Sequence, residues 1–361
     1  MSGLGENEFF SILLGDASKP EPDAASAYEK AAVGHLRAMV PPAGEAALTQ
    51  EKAPAPDRRG KASIIGRIRR AVRQEQARYG YFFLLPVLLH FAVFVAFPVA
   101  FSFYLSFHEW NILSEVKRPI GLENYAALLR SDSFVRSVLN TAVFTFSTVG
   151  LTVVFSLALA LALDRPIRGV ALFRGIFYSP VVTSAVATGL VWLWILDPHF
   201  GIVNQLLAMV HLPQPGWASS PEWAMPAVVL TFTWREVGFF TVIYLAALQG
   251  IPLQYREAAQ IDGAGPWQVF RRITLPLLMP TTLFVLVMGT IRATQLSFGL
   301  IYVMTGGGPV DATNVIVLYL YQQAFEFFKM GYASAVAYVL FAFTFVLTLI
   351  QFKVLGRRAE V

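Results

Sequence analysis

The chain of 361 residues contains no cysteine. Disulfides, zinc–thiolate centres and thiol nucleophiles are therefore excluded, and the redox compartment leaves no mark on the sequence. Charge is scarce. Asp, Glu, Lys and Arg supply 14% of the residues, against about 25% in a soluble domain. There are five histidines. None belongs to an H-E-x-x-H or similar helical pair, so no metal site is expected, and His90 and His108 read as packed or interfacial. No Ser–His–Asp set or pair of carboxylates suggests hydrolysis. A nucleotide cradle is also missing. It would need G-x-x-x-x-G-K-[ST], whose backbone amides hold phosphate. "DRRGKAS" at 57–63 lacks the first Gly and the hydroxyl directly after Lys, and "TGGGP" at 305–309 has no Lys after it. No cofactor and no catalysis are expected of this chain.

What is present is apolar. Hydrophobic residues make up 56%, including 30 Phe and 7 Trp, where a soluble domain carries about 45–50%. The class indicated is an all-α polytopic membrane protein. The net charge of +5 fits a basic cytoplasmic face better than nucleic-acid binding. No signal peptide is expected, because the first long apolar run begins near Tyr81. Residues 1–79 form a separate region. Patches such as "SKPEPDAASAYEKAA" bury too little apolar surface to offset ordering entropy, so a largely disordered cytoplasmic extension is expected. It ends in a basic stretch with Arg67, Arg69, Arg70 and Arg73. That stretch reads either as an amphipathic helix on anionic lipid or as a solvated flank.

Residues 80–361 form the membrane domain. About 20 apolar residues are needed to cross the hydrocarbon, and six stretches qualify: 81–107, 137–163, 171–196, 222–248, 277–303 and 332–354. The run 313–328 is interrupted by Gln322, Gln323 and Glu326 and is expected to be a surface or interfacial helix. Basic residues set the orientation. Arg165 and Arg168, then Arg256, Arg271 and Arg272, then Lys353, Arg357 and Arg358 fall on the side of the N-terminus if there are six spans. The loop 197–221 has no Lys or Arg, and 304–331 has only Lys329. The loop 108–136 holds Lys117, Arg118, Arg130 and Arg136, offset by Glu109, Glu115, Glu123 and Asp132. Both termini are expected in the cytoplasm.

The polar stretch "YREAAQIDGAGPWQVFRRITLPLLMP" lies between two of the most apolar runs. Pro252 suits the first turn of a helix. Gly263 and Gly265 can end it in a left-handed conformation, and Pro266 can start another. Phe270 and Ile273 share one face of the second helix, and Pro276 is expected to break it as the fifth span begins. Ala258, Ala259 and Ala264 keep one surface small. The result is a pair of short helices, shaped to seat in another protein's groove.

The same residues resemble the EAA signature of binding-protein-dependent ABC importers, E-A-A-x-x-x-G followed by I-x-L-P. Glu257, Ala258, Ala259, Asp262, Gly263, Ala264, Phe270, Ile273, Leu275 and Pro276 match it. "GLENY" at 121–125, "ALFRGIFYSPVVTSAVATGLVWLWILDPHFGIVN" and "YVMTGGGPVDAT" are similar to stretches of the carbohydrate subclass, of the maltose, glycerol-3-phosphate and trehalose type. The resemblance covers residues 80–355 and implies a type I importer permease fold with a cytoplasmic coupling helix. It implies a second homologous permease, two ATPase subunits carrying ATP and Mg, and an extracytoplasmic solute-binding protein, in a bacterial inner membrane. Glu257 would face the ATPase, and Gly263 would permit the turn. Relatives often carry an Asp before "IYV" at the end of the fifth span, where this chain has Gly299.

Charges within the spans invite a second site. Arg235 and Glu236 lie inside the fourth span and Arg292 inside the fifth. Such groups normally face a cavity or a partner. Trp234, Arg235, Arg292 and Gln295 could line a solute path. Alternatively Arg–Glu pairing fixes helix packing or a subunit interface. Trp192, Trp194 and Trp217 read as interfacial aromatics. The rival functions are a permease for amino acids or polyamines, and a stand-alone channel or secondary transporter. The latter predicts internal repeats, which are not seen.

Overall fold

The computed structural model describes residues 75–164 and 169–359. The N-terminal extension before residue 75 and the second-loop residues Arg165 and Arg168 lie outside the described residues. α1 (Glu75–Phe91) continues through a π turn at Ala92–Ala96 into α2 (Phe97–Ser106). A two-residue ladder pairs β1 (His108–Glu109) with β2 (Arg118–Pro119), a small departure from the all-α expectation. Then follow α3 (Glu123–Arg130), α4 (Asp132–Leu163), α5 (Val170–Val182), α6 (Ala185–Ile195), α7 (Ile202–Met209) and α8 (Pro221–Gln249). The polar stretch holds α9 (Leu253–Ile261), α10 (Pro266–Val269), a π turn at Phe270–Thr274, and α11 (Leu275–Leu277). α12 (Met279–Leu296), α13 (Phe298–Met304), α14 (Ile316–Tyr321) and α15 (Met330–Ala359) complete the order.

Among the described residues, four helical stretches are long and apolar enough to cross a membrane: Tyr81–Ser106, Asp132–Leu163, Pro221–Gln249 and Met330–Gly356. Two more pass that test only as bent pairs. Leu172–Val182 meets Ala185–Ile195 at 103°, and Pro266–Leu277 meets Met279–Leu296 at 64°. The stretch 171–196 is thus not one straight helix. Thr183 turns extended after α5, and its hydroxyl donates to Pro180 O at 2.6 Å. The second bend falls at Leu278, after Pro276, so Pro276 sits inside the helix it was expected to break.

α4 and α8 make the most extensive helix pair. The buried side of α4 carries Ser137, Thr141, Thr148 and Ser156. Each hydroxyl donates to a carbonyl three or four residues earlier, at 2.5–2.7 Å. Small side chains that satisfy themselves locally let helices approach without leaving polar atoms bare in hydrocarbon. α8 meets α5 more closely still. A Cβ on Gly238 would lie 1.9 Å from Phe177 O, so only glycine fits there.

Among the described residues, three apolar clusters form the core. One gathers Phe144, Phe232, Leu300 and Ile301, another Phe240, Tyr244, Leu248 and Leu278. The third joins Leu128, Phe134, Ile316, Tyr319 and Val336. Ile316, Leu318 and Tyr319 of α14 are buried. The segment expected on the surface is therefore packed between α3, α4 and α15, and Gln323 is buried with it.

Candidate functional site

The polar stretch folds into an elbow whose corners follow from local chemistry. Pro252, at φ −56° and ψ 132°, precedes α9. No residue of α9 is buried, and Leu253, Tyr255 and Ile261 are 68%, 54% and 87% exposed. Gly263 adopts φ +78°, a left-handed turn that suits a residue without Cβ. Around it Asp262 N donates to Ala258 O at 3.0 Å and Ala264 N to Ala259 O at 2.9 Å. Gly265 is extended, its N–H donates to Gln268 Oε1 at 3.1 Å, and Pro266 begins α10.

The ten elbow residues divide by exposure. Glu257, Ala258, Asp262, Gly263 and Pro276 are exposed, whereas Ala259, Ala264, Phe270, Ile273 and Leu275 are half-buried. Beneath them Val269, Thr274 and Leu278 are buried. Trp267, 68% exposed, stacks at a tilt on Phe270 with centroids 5.4 Å apart. One face is thus anchored and the other left open. A further anchor is Arg256. Its Nη1 lies 3.0 Å from Asp164 Oδ2, at the C-terminal end of α4. Sequence reasoning had used Arg256 only for orientation. The available signal was an Asp and an Arg on two loops assigned to one side of the membrane.

The intramembrane charges form a second group. Glu236 is 1% exposed. Arg292 grips it with both Nε and Nη2, the latter 3.2 Å from Oε1. The Arg292 guanidinium also lies 4.7 Å from the Phe239 ring centre. Arg235 Nη1 stands 3.9 Å from the same carboxylate. Glu236 thus lies between two guanidinium groups, and removing its carboxylate would strand two cations. Trp234, 46% exposed, packs edge-on against Trp192 with centroids 5.5 Å apart. Gln295 is exposed on α12. The structure therefore brings Arg235, Glu236 and Arg292 together.

Two sequence patterns acquire structural roles. In "GLENY", Gly121 adopts φ +60°, and buried Asn124 donates to Ser106 O at 2.8 Å and His108 O at 3.1 Å. Tyr125 Oη donates to Ser106 Oγ at 2.9 Å. The motif closes the end of α2. In "TGGGPVDAT", Gly306 and Gly307 adopt φ +59° and +90°. The Thr305 and Thr313 hydroxyls meet at 2.6 Å, and Asn140 Nδ2 of α4 donates to Asp311 O at 2.7 Å. Trp217 Nε1 donates to Asn204 Oδ1 at 2.8 Å, and His108 Nδ1 lies 2.8 Å from Tyr104 O. His108 is buried and Trp217 half-buried.

Apolar helices broken by an exposed, anchored elbow define a helical membrane protein. A model of the family "Binding-protein-dependent transport system inner membrane component" matches residues 120–360, and the chain belongs to that family. It is 36% identical over 289 residues to a probable ABC transporter permease, YesP of Bacillus subtilis, covering 79% of this chain and 92% of that protein. It is 32% identical over 286 residues to the trehalose/maltose transport system permease MalF of Thermococcus litoralis, covering 78% and 95%. Among solved structures it resembles a bacterial ABC transporter involved in importing the acidic polysaccharide alginate. The TM-score is 0.68 at 25% identity, with 81% of this chain and 99% of that chain covered.

Proposed function

We propose that this chain is one half of the membrane path of an ATP-driven, binding-protein-dependent importer of a sugar or sugar-like solute. Taking Leu172–Val182 with Ala185–Ile195 as one crossing and Met279–Leu296 as another gives the six-helix type I arrangement with both termini in the cytoplasm of a bacterial inner membrane. Residues 252–276 are the coupling helix. Glu257, Ala258, Asp262 and Gly263 present the face that enters a cleft on a separate ATPase, which carries ATP and Mg. A second homologous permease completes the path, and an extracytoplasmic binding protein delivers the solute. Trp234, Arg235, Arg292 and Gln295 belong to the path wall, with Glu236 holding the guanidinium groups in place. The sugar assignment is supported by likeness to the trehalose/maltose permease and the alginate transporter.

The observation that carries this reading is the elbow itself. α9 has no buried residue, yet Arg256 ties it to α4 at 3.0 Å. A push on α9 is therefore transmitted along α4 as well as through α8 and α12. The absence of cysteine makes a direct test simple. A single Ala258→Cys substitution should form a disulfide cross-link to a cysteine in the ATPase cleft. Cross-linking should change with nucleotide, and Val310→Cys on the opposite loop should give none. Equal cross-linking from both positions overturns the reading.

A further inference from the structure

A cavity of about 640 Å³ lies where α3, α4, α14 and α15 meet, within the roughly 300–1,000 Å³ typical of small-molecule sites. It adjoins a second cavity of about 410 Å³, and the two share Ala127, Lys329 and Tyr332. Ser131 and Ser133 place the larger one at the N-terminal end of α4. Asp164, which anchors the elbow, closes the other end of that 32-residue helix. At 1.5 Å per residue the two sites are about 46 Å apart, on opposite faces of the membrane domain. None of the path residues named above lines either cavity.

The lining has a definite chemistry. Asn314 is 3% exposed, and its Oδ1 has no hydrogen-bond partner. Its Nδ2 donates to Asp311 Oδ1 and Gln322 Oε1, both at 3.2 Å. Turning the amide over would set its oxygen against the Asp311 carboxylate, so the amide is fixed in this orientation and holds Asp311 and Gln322, which line the cavity, in place. Gln322, Gln323, Ser133 and Glu326 add further donors and acceptors to the wall. The hydroxyls of Tyr319 and Tyr332 meet at 3.0 Å, with Ser131 Oγ 3.4 Å from Tyr319 Oη, which holds the aromatic side rigid. In the adjoining cavity Trp110 is braced by Lys117 Nζ, 5.0 Å from its ring centre. Carboxamides and carboxylates beside fixed aromatic rings suit the hydroxyls and the apolar face of a sugar ring. Two carboxylates, Asp311 and Glu326, face one ammonium, Lys329, so an anion is disfavoured.

We propose that this paired cavity is an accessory binding site for an uncharged saccharide, on the face opposite the elbow and apart from the membrane path. The proposal rests on the sugar-importer reading. The two adjoining chambers accommodate more than one ring.

The test uses the complete importer complex in nanodiscs, without binding protein, and a diazirine-bearing maltotriose as probe. Adducts should map to the tryptic peptide Ser131–Arg136 and to residues 311–326. Ala127→Trp places a bulky ring on an exposed lining position and should cut this labelling about tenfold. Asn314→Ala should weaken it too. Labelling that is unchanged by Ala127→Trp overturns the proposal. So does labelling confined to α8 and α12, which would leave the importer reading intact. Loss of labelling everywhere, together with no ATP-driven uptake of any sugar, would overturn both. Protection of Ser131–Arg136 by binding protein alone, with no sugar adduct, would assign the cavity to docking and overturn the saccharide site.

Discussion

Arg256 of α9 and Asp164 at the end of α4 lie 92 residues apart in sequence, yet their side chains meet at 3.0 Å. The pair is partly shielded, with side chains 28% and 16% exposed. It joins the elbow to a helix that is not its neighbour in the chain. Arg256→Gln is expected to lower ATP-driven uptake several-fold while leaving insertion and ATPase binding intact. A double-mutant cycle with Asp164→Asn should show a coupling energy of roughly 0.5–3 kcal/mol. Additive losses would mean that the contact transmits nothing.

Gly263 turns the elbow at φ +78° with open space around it. A Cβ there meets nothing within 4 Å, so the penalty at that atom comes from the backbone, about 1–2 kcal/mol for an ordinary L-residue. Gly263→Val should therefore impair uptake more than Gly263→Asn, because Asn tolerates the left-handed region. Uptake by the two variants, compared at matched expression, checks this order.

The Glu236–Arg292 pair predicts an asymmetric cost. Glu236→Gln strands Arg292 and should lower stability by about 3–5 kcal/mol, read as a fall in Tm in detergent. Arg235 loses the same carboxylate, so the triple variant Arg235→Met, Glu236→Met, Arg292→Met should recover most of that loss. If it is no more stable than the single variant, pairing is not what holds α8 against α12.

Gly238 and Gly175 make a matched pair of controls. Gly238→Ala would force a methyl to 1.9 Å from Phe177 O, whereas Gly175 has nothing within 4 Å of its ideal Cβ. Gly238→Ala should destabilise α5 against α8, by an overpacking cost of about 1–3 kcal/mol or more. Gly175→Ala should change little. The readout is again thermal unfolding of the purified protein.

What could be read from the sequence was what local chemistry determines. Gly263 and Pro266 mark the elbow's corners because left-handed turns and helix starts depend on a few adjacent residues, whereas Gly265, expected to be left-handed, is extended at φ −70°. The four straight helices follow from apolar length. The bend at Thr183 was hidden within a uniformly greasy run, where only Pro180 and the hydroxyl of Thr183 hint at a break. The run 313–328 departs from its expected surface position for the opposite reason. Gln322 and Gln323 look like solvent-facing residues, but they line a cavity whose other wall comes from α3, α4 and α15. Partners distant in sequence, such as Asp164 and Arg256, were visible only as charges on a shared side.

The self-contained hydroxyls of α4 have a mechanical consequence. Ser137, Thr141, Thr148 and Ser156 all donate within their own helix, so none of these four protons crosses to α8. Where those groups face α8, no polar latch has to be undone before one rod glides past the other. At those positions the seam rests on packing and not on hydrogen bonds given by these hydroxyls to α8.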